Sequence, residues 1–202
     1  MVKIKVCGIT NEADAIHAAA AGADALGFIF WQDSPRYIEP EKAAVIIKAL
    51  PPFVTTVGVF VDEESERVNA LVRGVKLGVV QLHGTESPEY CRNIRARVIK
   101  SFRVRGMEDI EPMAAYRVSA FLLDAYKKGV PGGTGETFDW DIASAAKKYG
   151  PVILSGGLTP ENVCDAVRRV GPYGVDVSSG VEERPGKKDH KKVSAFIDGV
   201  RG

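Results

Sequence analysis

The chain has 202 residues, 45% hydrophobic and 26% charged, with a formal net charge of +1. That balance is ordinary for a globular protein and leaves no electrostatic footprint for nucleic acid. No apolar run is long enough to span a bilayer, and the N-terminus lacks the apolar core of a secretion signal. Cys7, Cys91 and Cys164 are an odd number without metal-ligand spacing, which predicts reduced thiols in a cytoplasmic protein and no metal site.

Taken in order, Lys3 to Cys7 alternates Ile4 and Val6 with lysines, as a short strand does. Thr10-Asn11 supplies a cap for an Ala-rich helix over Glu12–Ala21, and Gly22 suits the residue after its end. Ala25–Phe30 reads as a buried strand, followed by a polar loop from Gln32 to Tyr37 and a helix from Pro40 to about Leu50. Thr55–Val61 is a β-branched strand and Glu63–Val72 an amphipathic helix. Leu77–Gly84 is the fourth strand, and Ser87-Pro88-Glu89 opens a helix with cap, proline and acid in the preferred order. Val98–Val104 is a strand, Met107–Tyr116 a short helix and Ala120–Asp124 a strand. A glycine-rich loop, Lys127–Glu136, reads as a lid, with Asp139 capping the next helix. Pro151–Leu154 is closed by Ser155-Gly156-Gly157, and Thr159-Pro160-Glu161 caps the following helix. Gly174–Val177 is closed by Ser178-Ser179-Gly180, and Asp189–Val200 is the last helix.

Eight strands that each lead into a helix demand a parallel sheet. Eight such units predict a single (β/α)8 barrel over residues 1–202, compact beside a typical one of about 250 residues. The rival, an open doubly wound sheet, expects a Gly-x-Gly-x-x-Gly turn after the first strand, and Cys7-Gly8-Ile9-Thr10-Asn11 lacks it.

Barrel enzymes work at the C-terminal ends of their strands, which here carry Cys7, His83, Asp124, Ser155-Gly156-Gly157 and Ser178-Ser179-Gly180. The last two turns fall where such barrels hold phosphate, so the expected partner is a phosphorylated small molecule. Glycines after strands are also ordinary turn punctuation. Cys7 is either a small core residue or a base, and Asp124 either a partnered loop residue or a proton donor across the mouth from it. Arg36, in the loop after the second strand, is either a solvated surface group or a clamp for a carboxylate. His83 either satisfies its neighbours or contacts substrate.

Several stretches together resemble phosphoribosylanthranilate isomerases from end to end. These are Lys5-Val6-Cys7-Gly8-Ile9-Thr10, Gly27–Phe30 with Ser34-Pro35-Arg36, Gln81-Leu82-His83-Gly84, Gly132–Gly135 with Phe138-Asp139-Trp140, Leu154–Leu158 and Asp176–Glu182. Lys-Val-Cys stands where Lys-Ile-Cys is more familiar, which changes nothing chemical. The resemblance implies a cofactor-free Amadori rearrangement of N-(5-phosphoribosyl)anthranilate in tryptophan biosynthesis. It implies Asp124 as the acid that opens the furanose and Cys7 as the base at C2. It further implies Arg36 on the anthranilate carboxylate, Asp176 near the sugar, and Gly156, Gly157, Ser178, Ser179 and Gly180 around the phosphate. The chain itself is read as a monomer or homodimer.

Three other readings stay open. A related isomerase of the histidine pathway would carry aspartate where Cys7 stands. A Schiff-base aldolase would use a lysine such as Lys100. A non-catalytic phosphate-binding barrel would bind product without turnover.

Overall fold

In a computed structural model that describes residues 1–125 and 140–202, eight parallel strands close into a barrel. They are β1 (Lys3–Cys7), β2 (Ala25–Ile29), β3 (Thr55–Phe60), β4 (Val79–Leu82), β5 (Arg97–Val104), β6 (Ala120–Ala125), β7 (Val152–Ser155) and β8 (Gly174–Val177). Sequence neighbours pair throughout, and β1 closes on β8 with Lys5 opposite Asp176 and Val6 opposite Val177. The α-helices are α1 (Glu12–Ala21), α2 (Pro40–Ala49), α3 (Ser65–Val75), α4 (Pro88–Arg92), α5 (Trp140–Ala146), α6 (Val163–Val170) and α7 (His190–Arg201). The expected lid over 127–136 and the cap at Asp139 lie outside the described residues. Among the described residues, no helix is long and apolar enough to cross a membrane.

The start of α1 follows its local chemistry: Asn11 takes the Asp14 amide on its side chain, and Gly22 ends the helix at φ 109°, where a side chain is strained. Elsewhere the local rules give way. Met107–Ala115 winds as a 3₁₀ helix with Pro112 inside it, since proline has no N–H and crowds the carbonyl four residues back. Thr159 does not cap α6. Asn162 instead accepts from the Thr159 amide at 2.8 Å and donates to the Gly157 carbonyl at 2.9 Å, so Thr159-Pro160-Glu161 forms a turn and the helix begins at Val163. An unexpected hairpin, β9 (Glu182–Arg184) with β10 (Lys187–Lys188), stands between β8 and α7.

Period-two alternation divides each strand between two environments. Outward residues such as Ile4, Val6, Leu26 and Phe28 are fully buried in the large core between barrel and helices. Each large apolar side chain so buried contributes roughly 1.5–3 kcal/mol. Inward residues form a second, small cluster of Ile99, Ala120, Leu122 and Ile153, with Val79 against it. Two residues further along those same strands come Ser101, Asp124, Ser155 and Gln81. The barrel interior therefore turns from apolar to polar toward its C-terminal mouth.

Asp24 ties the ends of the chain to this frame, accepting from Lys3 Nζ (2.8 Å), the Ile4 amide (2.9 Å) and Arg201 Nη2 (3.0 Å). Burial alone would raise its carboxyl, but Lys3, the Ile4 amide and Arg201 outweigh burial and hold it below the usual range. A depressed carboxyl stabilises above its unfolded value of about 3.9, and that stability is lost as pH falls through the folded value. Asp24→Asn should lower stability at neutral pH by about 1–2 kcal/mol, a figure reduced because Lys3 is half exposed. Urea unfolding should find the wild-type advantage shrinking in acid; an advantage that grows in acid contradicts the assignment.

Candidate active site

At the barrel's C-terminal mouth lies a cavity of about 730 Å³. All ten residues singled out from sequence line it: Cys7, Arg36, His83, Asp124, Gly156, Gly157, Asp176, Ser178, Ser179 and Gly180. Four corners can be distinguished by their chemistry.

Cys7 ends β1 with its side chain inward and nearly covered. Gly27 on β2 makes room for it, since a methyl there would stand 2.7 Å from Cys7 Sγ. Lys5, two residues earlier, shares the inward face. It is only 4% exposed, and its ammonium bonds Asp176 Oδ1 at 2.7 Å. Ser155 donates to the other Asp176 oxygen at 3.2 Å. Asp176, expected beside the sugar, is thus held in a buried ion pair at the cavity wall. Burial pushes the Cys7 thiol up; Lys5 draws it back, Asp176 opposes Lys5, and Lys188 lowers it slightly, leaving the thiol above its ordinary value.

Asp124, at the end of β6, stands across the mouth. Its Oδ2 lies 3.3 Å from His83 Nε2, and His83 Nδ1 lies 3.0 Å from the buried Gln81 Nε2. With the Gln81 amide nitrogen donating to Nδ1, the ring carries its hydrogen on Nε2, facing the carboxyl. Among the described residues Asp124 Oδ1 has no partner. Among the described residues the carboxyl is therefore held at one oxygen only.

Arg36 is not a free surface group. Its Nε and Nη2 grip Glu182 in a fork, Nε to Oε1 at 2.9 Å and Nη2 to Oε2 at 2.7 Å. Lys188, with no exposed side-chain surface, donates to Glu182 Oε1 at 2.8 Å. Burial would raise the Glu182 carboxyl, but the two cations hold it below the usual range, and burial lowers the Lys188 ammonium. The hairpin thus locks the Nε–Nη2 edge of the guanidinium of a side chain that lines the cavity.

In the fourth corner Gly156 and Gly157 take left-handed φ of 82° and 71°. Gly180 sits so close to the Leu158 carbonyl that any side chain would collide with it. This close approach brings the turns after β7 and β8 together. Among the described residues the buried hydroxyl of Ser178 has no hydrogen-bond partner, a donor suited to an anion.

Sequence reasoning missed Lys5, Glu182 and Lys188 as parts of the site. Lys5 was legible in principle, being two residues from Cys7 on one strand; nothing local marks Lys188. The aldolase reading loses its lysine. Lys100 is 2% exposed, and its ammonium is shared among Glu86 Oε2 (3.0 Å) and the carbonyls of Gly84 (2.8 Å), Ser101 (3.2 Å) and Leu82 (3.4 Å). Among the described residues no three His, Cys, Asp or Glu gather as metal ligands.

The family profile described as "PRAI: N-(5'phosphoribosyl)anthranilate (PRA) isomerase" matches residues 4–199. N-(5'-phosphoribosyl)anthranilate isomerase of Trichlorobacter lovleyi is 57% identical over 198 residues, covering 98% of this chain and 97% of its own. Two solved structures superpose over the full length of both chains. One is a phosphoribosyl anthranilate isomerase in complex with reduced 1-(O-carboxyphenylamino)-1-deoxyribulose 5-phosphate (46% identity, TM-score 0.91). The other is described as "mutually generated monomers of dimeric phosphoribosylantranilate isomerase" from Thermotoga maritima (44% identity, TM-score 0.90).

Proposed function

The chain belongs to the N-(5'-phosphoribosyl)anthranilate isomerases of tryptophan biosynthesis, and from that membership we propose how its single domain, residues 1–202, performs the rearrangement. The phosphate of N-(5'-phosphoribosyl)anthranilate sits against Gly156, Gly157, Ser178, Ser179 and Gly180, where left-handed glycines and a buried hydroxyl favour an anion. This fixes the sugar between Asp124 and Cys7. The acid proton of Asp124 passes to the furanose ring oxygen, and the C1–O bond breaks to a Schiff base. Cys7, as thiolate, then takes the proton from C2; the C2–H pair becomes the C1=C2 bond while the C1=N π pair moves to the nitrogen, giving an enolamine that tautomerises to the ketone. His83 orients the acid from behind. The observation that carries the reading is one cavity lined by a buried thiol, a carboxyl across the mouth from it and the glycine-serine turns after β7 and β8. The test is loss of the substrate's anthranilate fluorescence with purified protein. Product binding without turnover would return the chain to a phosphate-binding barrel, and turnover of the histidine-pathway substrate alone would make it that isomerase.

Arg36 reaches the anthranilate carboxylate with the guanidinium edge that Glu182 leaves free. A charge-assisted hydrogen bond of this kind is worth about 1.5–3 kcal/mol. Arg36→Met should therefore raise KM about ten- to a hundredfold with kcat little changed. A fall in kcat at constant KM removes the clamp.

The chain works in the cytoplasm, consistent with its three free thiols, and pairs with a second copy through the opposite end of the barrel. There Phe53, 96% exposed, and exposed Tyr173 line a cavity of about 250 Å³ together with Val79, Ile99, Ala120 and Ile153. A second copy would cover this apolar surface, as a dimer like that named for the Thermotoga maritima relative requires. Phe53→Asp should halve the mass found by light scattering and leave kcat unchanged; a monomeric wild type removes the pairing.

A further inference from the structure

We propose that Lys5 is a positioning residue for the isomerisation, its ammonium clamped by Asp176 so that it stabilises the Cys7 thiolate from inside the barrel. The inference rests on the reading of Cys7 as the base and says how so enclosed a thiol can serve.

Three observations support it. Lys5 and Cys7 lie two residues apart on β1, both inward, and the Cβ position left vacant by Gly27 is 2.7 Å from Cys7 Sγ and 3.2 Å from Lys5 Cε. The two side chains therefore share one small space. Second, Lys5 makes its 2.7 Å bond to Asp176 with both side chains almost completely covered. Replacing a buried pair with apolar residues of similar volume is often neutral or stabilising, so this pair is poorly explained as a stabilising device. Third, the charges facing Cys7 are Lys5 from β1, Asp176 from β8, Lys188 from β10 and Arg36 from the loop after β2. Glu182 engages both Lys188 and Arg36, and among the described residues Asp176 is the only carboxylate partner of Lys5. Lys5 is the nearest cation to the sulfur along the strand. Burial would lower its ammonium, but Asp176, and then Cys7, raise it above the ordinary value, so it stays charged throughout the working pH range.

The test reads the ionisation of the sulfur directly, as the pH dependence of Cys7 alkylation by iodoacetamide, followed by mass spectrometry of the Cys7 peptide. Lys5→Met alone strands the Asp176 charge in the interior, so the main variant is Lys5→Met/Asp176→Asn, which removes both charges. Its alkylation midpoint should rise by about one pH unit or more, and kcat at neutral pH should fall about tenfold or more as the thiolate fraction falls. Asp176→Asn alone keeps the cation and should move the midpoint down. An unchanged or lowered midpoint in the double variant overturns the proposal, and so does an unchanged or raised one in Asp176→Asn, which also decides the matter if the double variant does not fold. Cys7→Ala assayed in parallel judges the base assignment separately. Full activity there would refute the base, while the alkylation profiles would still report on Lys5.

Discussion

Cys7→Ala is expected to lower kcat by about 10²–10⁴-fold, the contribution of a positioned general base, with the barrel intact. The alternative origin of a buried cysteine, simple volume in the core, makes the opposite forecast: near-normal kcat and a loss of about 1 kcal/mol in stability. Position argues for the base. Cys7 is covered on the inward face of β1, beside the mouth cavity and away from the outer core that takes Ile4 and Val6. Because burial holds the free thiol above its ordinary value, alkylation should be slow at neutral pH and accelerate as pH rises. Ligand bound in the cavity should protect Cys7 and leave Cys91 and Cys164 unaffected. Steady-state kinetics with denaturation curves on the same preparation separate the two origins, and a Cys7→Ala protein with near-normal kcat ends the mechanism.

Asp124→Asn should be comparably inactive, again about 10²–10⁴-fold in kcat, with KM changed far less. Asparagine keeps the shape and still accepts from His83 Nε2, 3.3 Å away from the present carboxyl, so the loss isolates the acidic proton. Combining it with Cys7→Ala sharpens the result. Groups that act at successive steps on one substrate are not independent, so the double variant should lose less than the product of the two single losses. If Asp124→Asn retains more than a tenth of wild-type kcat, the ring oxygen receives its proton from elsewhere, and His83, the nearest remaining donor, becomes the residue to replace.

Much of this was written in the chain itself. Alternating strands and helices point to a parallel barrel, because parallel neighbours need a crossover and seven crossovers of one hand bring the eighth strand back beside the first. The ends of those strands already hold Cys7, His83, Asp124 and the glycine-serine turns, so these cavity residues were legible as positions along a line, while Asp176 followed only from the family resemblance. What a line cannot give is which side chains meet. Lys5 reads as one of two lysines flanking Ile4, yet strand tilt and closure put it inside the barrel against Asp176, 171 residues away. Arg36 reads as a free clamp, yet Glu182 and Lys188, brought over by a hairpin the sequence did not announce, hold one of its edges. Asn162 binds the Thr159 amide and the Gly157 carbonyl where a Thr159 cap was expected, and Pro112, lacking an N–H, leaves its segment a 3₁₀ helix. Periodicity and turn chemistry act over a few residues, so the sequence by itself determined the elements, their order and the residues at the mouth. Charge pairing in a low-dielectric interior depends on distances of about 3 Å between residues far apart in the chain, so only the tertiary structure decided the electrostatics that make a thiol and a carboxyl into a base and an acid.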